Sequence, residues 1–355
     1  MQRVGLDLGY GYVKVVNEGG QRWSFPSVVA RKLTTADPNA LLTRGGQLPA
    51  GISVDHLEVG IETLGPEREP KQGYWVGRLA LRSPNATRPF GDNKADDVAT
   101  QVLTAVACAV ALRWHGQDIH VATGLPYGQF MRRELRQALA RALKDRAWIV
   151  EFPRAGGIER QVTISKVTVY PQAVGALYAF LTSRHPQAQA VLQEPGPVAL
   201  IDIGTKTTDF VVVDMPEMEY RADLCGTVPV GMATVYAALR AYIEQETGMV
   251  LDEAQVEQAA RDGQLHTRHG TMDLREAFER ECRVVAEQIR NRLELRWQQR
   301  GLYRHVLLAG GGADPLREPL KAFDRDMIMI PRAQYANAEG YLAMLQLEER
   351  HAQVS

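Results

Sequence analysis

A chain of 355 residues has room for two domains, because a single hydrophobic core usually stops growing before ~300 residues, and two domains make a cleft that can hold a ligand. With 45% hydrophobic and 23% charged residues it is a globular protein, not a disordered or fibrous one. The formal net charge of -1, with no clustered Lys and Arg, argues against direct binding to nucleic acid, so any DNA role calls for a separate adaptor. In chain order, residues 3 to 16, RVGLDLGYGYVKVV, predict two β-runs joined by a glycine turn. Residues 30 to 95, rich in Gly, Pro, Asn and charge, predict a small variable subdomain of short strands and loops. From Asp96 to Trp114 the apolar Val98, Val102, Leu103, Val106, Ala107, Val110 and Ala111 recur at helical spacing and predict a buried helix.

A short strand at 118 to 126 precedes a basic helix from about Gln129 to Lys144, whose charges read as a solvated face. The strand at 160 to 169 leads into YPQAVGALYAFL, and four prolines or glycines between 186 and 197 separate that helix from the next strand, so a domain boundary falls near 170. Residues 198 to 213, VALIDIGTKTTDFVVV, repeat the opening pattern of strand, Asp, glycine turn and strand, which reads as an internal duplication. A GTVPVG loop at 226 to 231 follows, then helices through Trp297, a strand ending in HVLLAG, and a last helix from about Ala336 to Glu349. Alternating strands and helices predict α/β layers.

Cys108, Cys225 and Cys282 lie far apart without metal-ligand spacing and read as buried small hydrophobes in a reducing cytoplasm. Neither a leader nor a run of ~20 apolar residues stands out, so the expectation is a soluble cytoplasmic protein with no membrane contact.

The two hairpins carry the chemistry. Each sets an Asp at a strand end just before a glycine-containing turn: Asp7-Leu8-Gly9-Tyr10-Gly11 and Asp202-Ile203-Gly204-Thr205-Lys206-Thr207-Thr208. Either alone reads as an ordinary β-turn, but one in each half of the chain makes a clamp for a polyphosphate. Backbone amides in such turns form an anion-binding concavity, and the hydroxyls of Thr205, Thr207 and Thr208 add donors. Lys14, seven residues after Asp7, can bring a point charge. Asp7 and Asp202, expected to face each other, suit Mg²⁺, which keeps most of its waters and takes one or two carboxylates with phosphate oxygens. A third element, LLAGGGADPL at 307 to 316, runs a strand through Gly310, Gly311 and Gly312 into a helix, where backbone can approach a flat ligand. Gln172 is a fourth: a neutral amide at a helix start can orient a water without taking its proton, although a helix-surface residue is the plainer reading.

In this order the elements resemble the actin, heat-shock chaperone and sugar kinase superfamily, over nearly the whole chain. The resemblance implies an α/β, actin-like fold with two ribonuclease-H-like domains flanking a nucleotide cleft. Domain I would be 1–170 plus 336–355, with 30–95 its small subdomain, and domain II 171–335. It further implies that Asp7 and Asp202 hold Mg²⁺ through water and that Gln172 positions the attacking water. The nucleotide contacts would be Gly9, Tyr10, Gly11, Tyr12, Lys14, Gly204, Thr205, Lys206, Thr207, Thr208, Gly231, Gly310, Gly311, Gly312 and Ala313. YWVGRLA (74 to 80), FGDNKADD (90 to 97), TGLPYGQF (123 to 130) and QYANAEGYL (334 to 342) resemble the ParM/StbA plasmid-segregation ATPases more than actin or MreB. Those proteins often carry Glu where Gln172 stands, so the catalytic position is closer to actin.

That resemblance implies ATP hydrolysis coupled to a self-assembling filament that moves plasmid DNA through a DNA-binding adaptor at a centromere, with ADP as product and GTP an open substitute for ATP. A small-molecule kinase would need a carboxylate base where Pro171-Gln172-Ala173 stands. A chaperone would need a further β-rich domain, and a membrane-bound filament an amphipathic helix or apolar tip. A cytoskeletal filament with other cargo, or a nucleotide-switched scaffold, uses the same residues.

Overall fold

The computed structural model describes residues 1–32, 51–65, 68–89, 97–114, 116–298 and 300–354. Most of FGDNKADD and residues 33–50 of the expected subdomain lie outside the described residues. Two compact units emerge: one comprises Met1–Leu125, Gln129–Pro171 and Ala338–Ser355, the other Pro126–Gly128 and Gln172–Asn337.

In the first unit β1 (Gln2–Leu8) and β2 (Tyr12–Asn17) form the expected hairpin, followed by β3 (Arg22–Pro26), β4 (Val29–Arg31), β5 (Glu58–Leu64) and β6 (Glu69–Val76). Helix α1 (Val98–Ala111) then leads to β7 (Asp118–Leu125). Asp97 accepts the Ala99 N–H at 2.9 Å and caps α1, which is why the helix starts at Val98 and not at Asp96. The expected basic helix is two pieces, α2 (Tyr127–Phe130) and α3 (Arg133–Leu143), with Arg132 extended between them. Strands β8 (Arg146–Phe152) and β9 (Ile158–Pro171) complete the unit's sheet.

That sheet runs β3-β2-β1-β7-β9-β8-β5-β6-β4. Its two outer strands, β3 and β4, are joined by Ser27 and Val28 alone, so the sheet curls until its edges meet at that link, in the sense that strand twist favours. The Gly77 N–H, just after β6, donates to the Val28 carbonyl at 2.9 Å and holds the seam. Within the segment 30 to 95, the short strand β5 pairs antiparallel with β8, from Gly60 opposite Glu151 to Leu64 opposite Ala147, and extends the main sheet. Val102, Leu103 and Val106 of α1 pack on Val4, Leu6, Val13 and Val121 in the core, which takes out of water the apolar stripe that the sequence showed.

In the second unit α4 (Val174–Leu181) and α5 (Ala188–Gln193) precede β10 (Gly196–Ile203), β11 (Thr208–Met215), β12 (Glu219–Tyr220) and β13 (Gly226–Val228). Part of the GTVPVG loop is thus an edge strand, stopped by Pro229, which has no N–H to donate. Helices α6 (Met232–Thr247) and α7 (Glu253–Asp262) come next. An unexpected hairpin of β14 (Gln264–Thr267) and β15 (Gly270–Asp273) interrupts the region read as helical, before α8 (Arg275–Arg296). Then follow β16 (His305–Ala309), α9 (Ala313–Leu320), β17 (Ile328–Met329) and α10 (Ala336–Val354). α10 runs past the expected Glu349 and passes from the second unit into the first after Asn337.

The second sheet runs β12-β11-β10-β16-β17. Its pairings, antiparallel twice and then parallel twice, repeat β3-β2-β1-β7-β9 of the first unit strand for strand. The fold class is α/β with two ribonuclease-H-like domains, and the duplication read from two Asp-Gly hairpins extends to five strands in each sheet. Trp297, fully buried, stands edge-on to Phe210 at 5.8 Å and anchors the second core.

Candidate nucleotide site

The hairpin register explains why each Asp lies where it does. Asp7 pairs with Lys14 across β1 and β2, and Asp202 pairs with Asp209 across β10 and β11, each seven residues on. The two units thus set a carboxylate at the same register position, with a cation opposite in one and a second carboxylate in the other. Lys14 Nζ lies 3.0 Å from Asp7 Oδ2, and both side chains are largely buried.

In the first hairpin the turn carbonyls are drawn inward by a buried residue. Ser27 donates its hydroxyl to the Gly9 carbonyl at 2.6 Å and its N–H to the Gly11 carbonyl at 2.9 Å. Because a peptide unit is planar and trans, the N–H groups of Tyr10 and Tyr12 point the other way. A Cβ on Gly9 would sit 2.8 Å from the Tyr12 carbonyl and 3.0 Å from Lys14 Nζ, so the turn admits only glycine there.

The second hairpin does the same by different means. The Met232 N–H donates to the Gly204 carbonyl at 3.1 Å, and the Ala233 N–H to the Thr205 carbonyl at 2.8 Å. The first turn of α6, entered at Gly231, thereby satisfies its own orphan amides on the loop and turns the amides of Thr205 and Lys206 to the opposite side. Thr208, expected to offer its hydroxyl to phosphate, is fully buried and donates to the Val230 carbonyl at 2.8 Å, so it closes the hairpin stem. Thr205, Lys206 and Thr207 are partly exposed in the turn.

The glycine run packs beside this hairpin. Gly310 has φ +91°, a conformation glycine adopts without strain, and a Cβ there would collide with the Ile203 carbonyl and Asp202 Oδ1. The Gly312 N–H donates to the Ile203 carbonyl at 2.9 Å. Gly311 is exposed, whereas Gly312 and Ala313 are buried at the start of α9.

Gln172 is not the first residue of a helix, nor a surface residue. It is only 9% exposed, in a turn between β9 and α4, and the following Ala173 adopts φ 69° and ψ −42°. A non-glycine residue there is strained by about 1–3 kcal/mol and persists only when its surroundings hold it. What holds it is Asn337, whose Oδ1 accepts the Ala173 N–H at 3.1 Å while its Nδ2 donates to Asp202 Oδ2 at 2.6 Å.

Three residues of this architecture escaped the sequence reading: Ser27, Asp209 and Asn337. Asp209, 3% exposed, accepts hydrogen bonds from the hydroxyls of Thr227 and Thr207 and, at 3.3 Å, from the Tyr127 N–H, which ties 126–128 into the second unit. Its signal was the seven-residue spacing shared with Lys14. Burial pushes the Tyr127 hydroxyl up to about 12 and raises the Cys225 thiol. Ser27 carried no signal in its neighbours.

Among the described residues no three His, Cys, Asp or Glu side chains gather to hold a metal by themselves. Asp7 and Asp202, one at the start of each glycine turn, suit an ion that stays largely hydrated, as Mg²⁺ does. Nor is any described helix long and apolar enough to cross a membrane.

Comparison with known proteins agrees with the repeat. A family model for the N-terminal domain of actin-like proteins matches residues 5–175, and one for the C-terminal part of the archaeal MreB-like actin homologues matches 200–322. Archaeal actin homologues of Thermoplasma acidophilum and Thermoplasma volcanium are 28% and 29% identical over 70% of this chain and 68% of theirs. A 15-stranded ParM filament from Clostridium botulinum superposes with TM-score 0.82 and 25% identity, over 98% of this chain and 99% of that one. A crystal structure of an archaeal actin homologue superposes with TM-score 0.79 and 25% identity, over 98% and 100%. Fold neighbours in complex with ADP and with ATP share the fold, at 24% and 17% identity, TM-scores 0.78 and 0.69, and coverage of 98% and 99% of this chain and 100% and 99% of theirs. On the two family matches and the ParM and archaeal superpositions, the chain is an actin-like protein similar to ParM and the archaeal actin homologues.

Proposed function

We propose that the protein hydrolyses ATP with magnesium and assembles into filaments while nucleotide is bound. The observation that carries this reading is the repeated hairpin: an Asp at one register position in both units, each beside a turn whose carbonyls are pulled inward. Asp7 and Asp202 would hold waters of the ion, which neutralises phosphate charge when bound. Lys14 adds a point charge, and the outward-turned amides of Tyr10, Tyr12, Thr205 and Lys206 receive phosphate oxygens. Gly231 and the backbone from Gly310 to Ala313 approach the nucleoside. Gln172, a neutral amide held in a strained turn, orients the attacking water without taking its proton. ATP is the expected nucleotide, and GTP is tested in the same assay.

Assembly follows from head-to-tail contacts between identical subunits, which give helical filaments when the rotation does not close a ring. A related ParM forms a 15-stranded filament. By that likeness the filament moves plasmid DNA in the cytoplasm through a DNA-binding adaptor, which agrees with a net charge of -1 on the chain itself. The archaeal names of the curated relatives favour a second reading, the same filament with cargo other than a plasmid.

The test is right-angle light scattering after adding magnesium and ATP, with phosphate release followed in the same sample. The expected result is a rise above a critical concentration, decaying as phosphate appears. Phosphate release without scattering would remove the filament and turn attention to hydroxyl substrates of a kinase; neither signal would remove the enzyme as well.

A further inference from the structure

We infer that Asn337 is a positioning residue for hydrolysis, a side chain that links the carboxylate of Asp202 to the turn carrying Gln172; this rests on the reading above of Asp202 and Gln172. Asn337 lies in the first turn of α10 and is 8% exposed. Its amide is used at both ends, Nδ2 to Asp202 Oδ2 at 2.6 Å and Oδ1 from the Ala173 N–H at 3.1 Å. Only an amide combines a donor and an acceptor in this fork; a carboxylate loses the donor and an alkyl group loses both.

Both partners need outside support. Ala173 is a buried non-glycine residue at φ 69°, so without the hydrogen bond on its N–H the turn relaxes and Gln172 moves with it. The Asp202 carboxylate is hemmed on its Oδ1 side by Gly310, where no side chain fits, and Asn337 fixes the other oxygen. Two of the four places where the chain passes between units are Pro171 to Gln172 and Asn337 to Ala338, and the hydrogen bond from Ala173 to Asn337 lies next to these two. Loss of the amide therefore disturbs the ion-holding carboxylate and the water-positioning amide together.

The experiment compares wild type, Gln172→Ala, Asn337→Ala, the double variant and Asn337→Asp, measuring magnesium-dependent nucleotide affinity and single-turnover phosphate release from pH 5.5 to 8. Asn337→Ala is expected to slow release about 10²-fold, as a misplaced reacting group does, while affinity falls by less than about tenfold. The double variant is expected to be no more than about threefold slower than the slower single one, because the two residues act as a unit. In Asn337→Asp the acceptor for the Ala173 N–H is kept and the donor to Asp202 is lost, so release is expected to be slowed as in Asn337→Ala. A merely structural role would lower the melting temperature of both variants without that split between rate and affinity.

Asn337→Ala hydrolysing at the wild-type rate, additive losses in the double variant, or Asn337→Asp releasing phosphate at the wild-type rate would each overturn the assignment alone. Wild-type protein that neither binds nor hydrolyses nucleotide would overturn the functional reading and the assignment with it.

Discussion

Ser27, in the two-residue link between β3 and β4, donates its buried hydroxyl at 2.6 Å to the carbonyl of Gly9 in the turn between β1 and β2. Ser27→Ala leaves that carbonyl without its hydroxyl partner inside the protein, at a cost of about 1–3 kcal/mol in stability. Since the same bond aims the first phosphate turn, nucleotide affinity is expected to fall by about tenfold, the equivalent of ~1.4 kcal/mol. Thermal unfolding and fluorescent-nucleotide titration check the two effects separately. A destabilised variant with unchanged affinity would detach Ser27 from the site.

Asp202→Ala and Gln172→Ala are expected to part company. The first removes an ion-holding carboxylate and should abolish magnesium-dependent nucleotide binding; the second should leave binding intact, slow hydrolysis about 10²-fold and lengthen the life of polymers. Equilibrium binding and phosphate release distinguish them. Normal binding by Asp202→Ala would take the second hairpin out of the site, and unchanged turnover in Gln172→Ala would move water positioning elsewhere.

Thiol reactivity should be nearly silent in the folded state. Burial pushes Cys108 and Cys282 up to about 12 and raises Cys225, and all three are 3% exposed or less. The thiolate is the reactive form, so at pH 8 a thiol reagent is expected to titrate no cysteine in native protein and all of them in denaturant. Fast labelling of native protein would contradict the burial.

Stability should fall on acidification. Burial lowers the pKa of His120, whose Nδ1 lies 3.1 Å from Glu349 and whose Nε2 lies 2.9 Å from Thr168; Lys166 and Arg3 also disfavour its charge. A base with a depressed folded-state pKa binds fewer protons folded than unfolded, so its contribution is complete above about pH 6.5 and is lost as pH falls from there toward the folded value. Glu349, its pKa lowered by hydrogen bonds from Arg3 and His120 despite burial, adds a loss in the same direction at lower pH. Melting temperature against pH should decline below about 6.5 in wild type and be flatter in His120→Asn. A decline of equal size in that variant would assign the effect to other groups.

The hairpins were legible because their chemistry is local: Asp, glycine turn and returning strand lie within eight residues, and alternation marks strands over the same span. Helix α1 was legible for a similar reason, its apolar period being complete in four turns. The β14–β15 hairpin was not, because at four residues each its strands are too short for period two to stand against the flanking helices. Burial of Gln172 was also hidden, since it depends on the strained turn at Ala173 and not on helical spacing.

By itself, then, the sequence determined the two phosphate-type turns, the register position of Asp7 and Asp202 and the α/β alternation, all of which rest on steric and hydrophobic periods spanning a few residues. Only the tertiary structure decided that β5 and β6 join β8, that Ser27 turns the first hairpin's carbonyls inward, and that Asn337 reaches an Asp202 lying 135 residues away. Contacts of that kind depend on how whole sheets curl and pack, and no local period encodes which distant side chain will arrive at a given group.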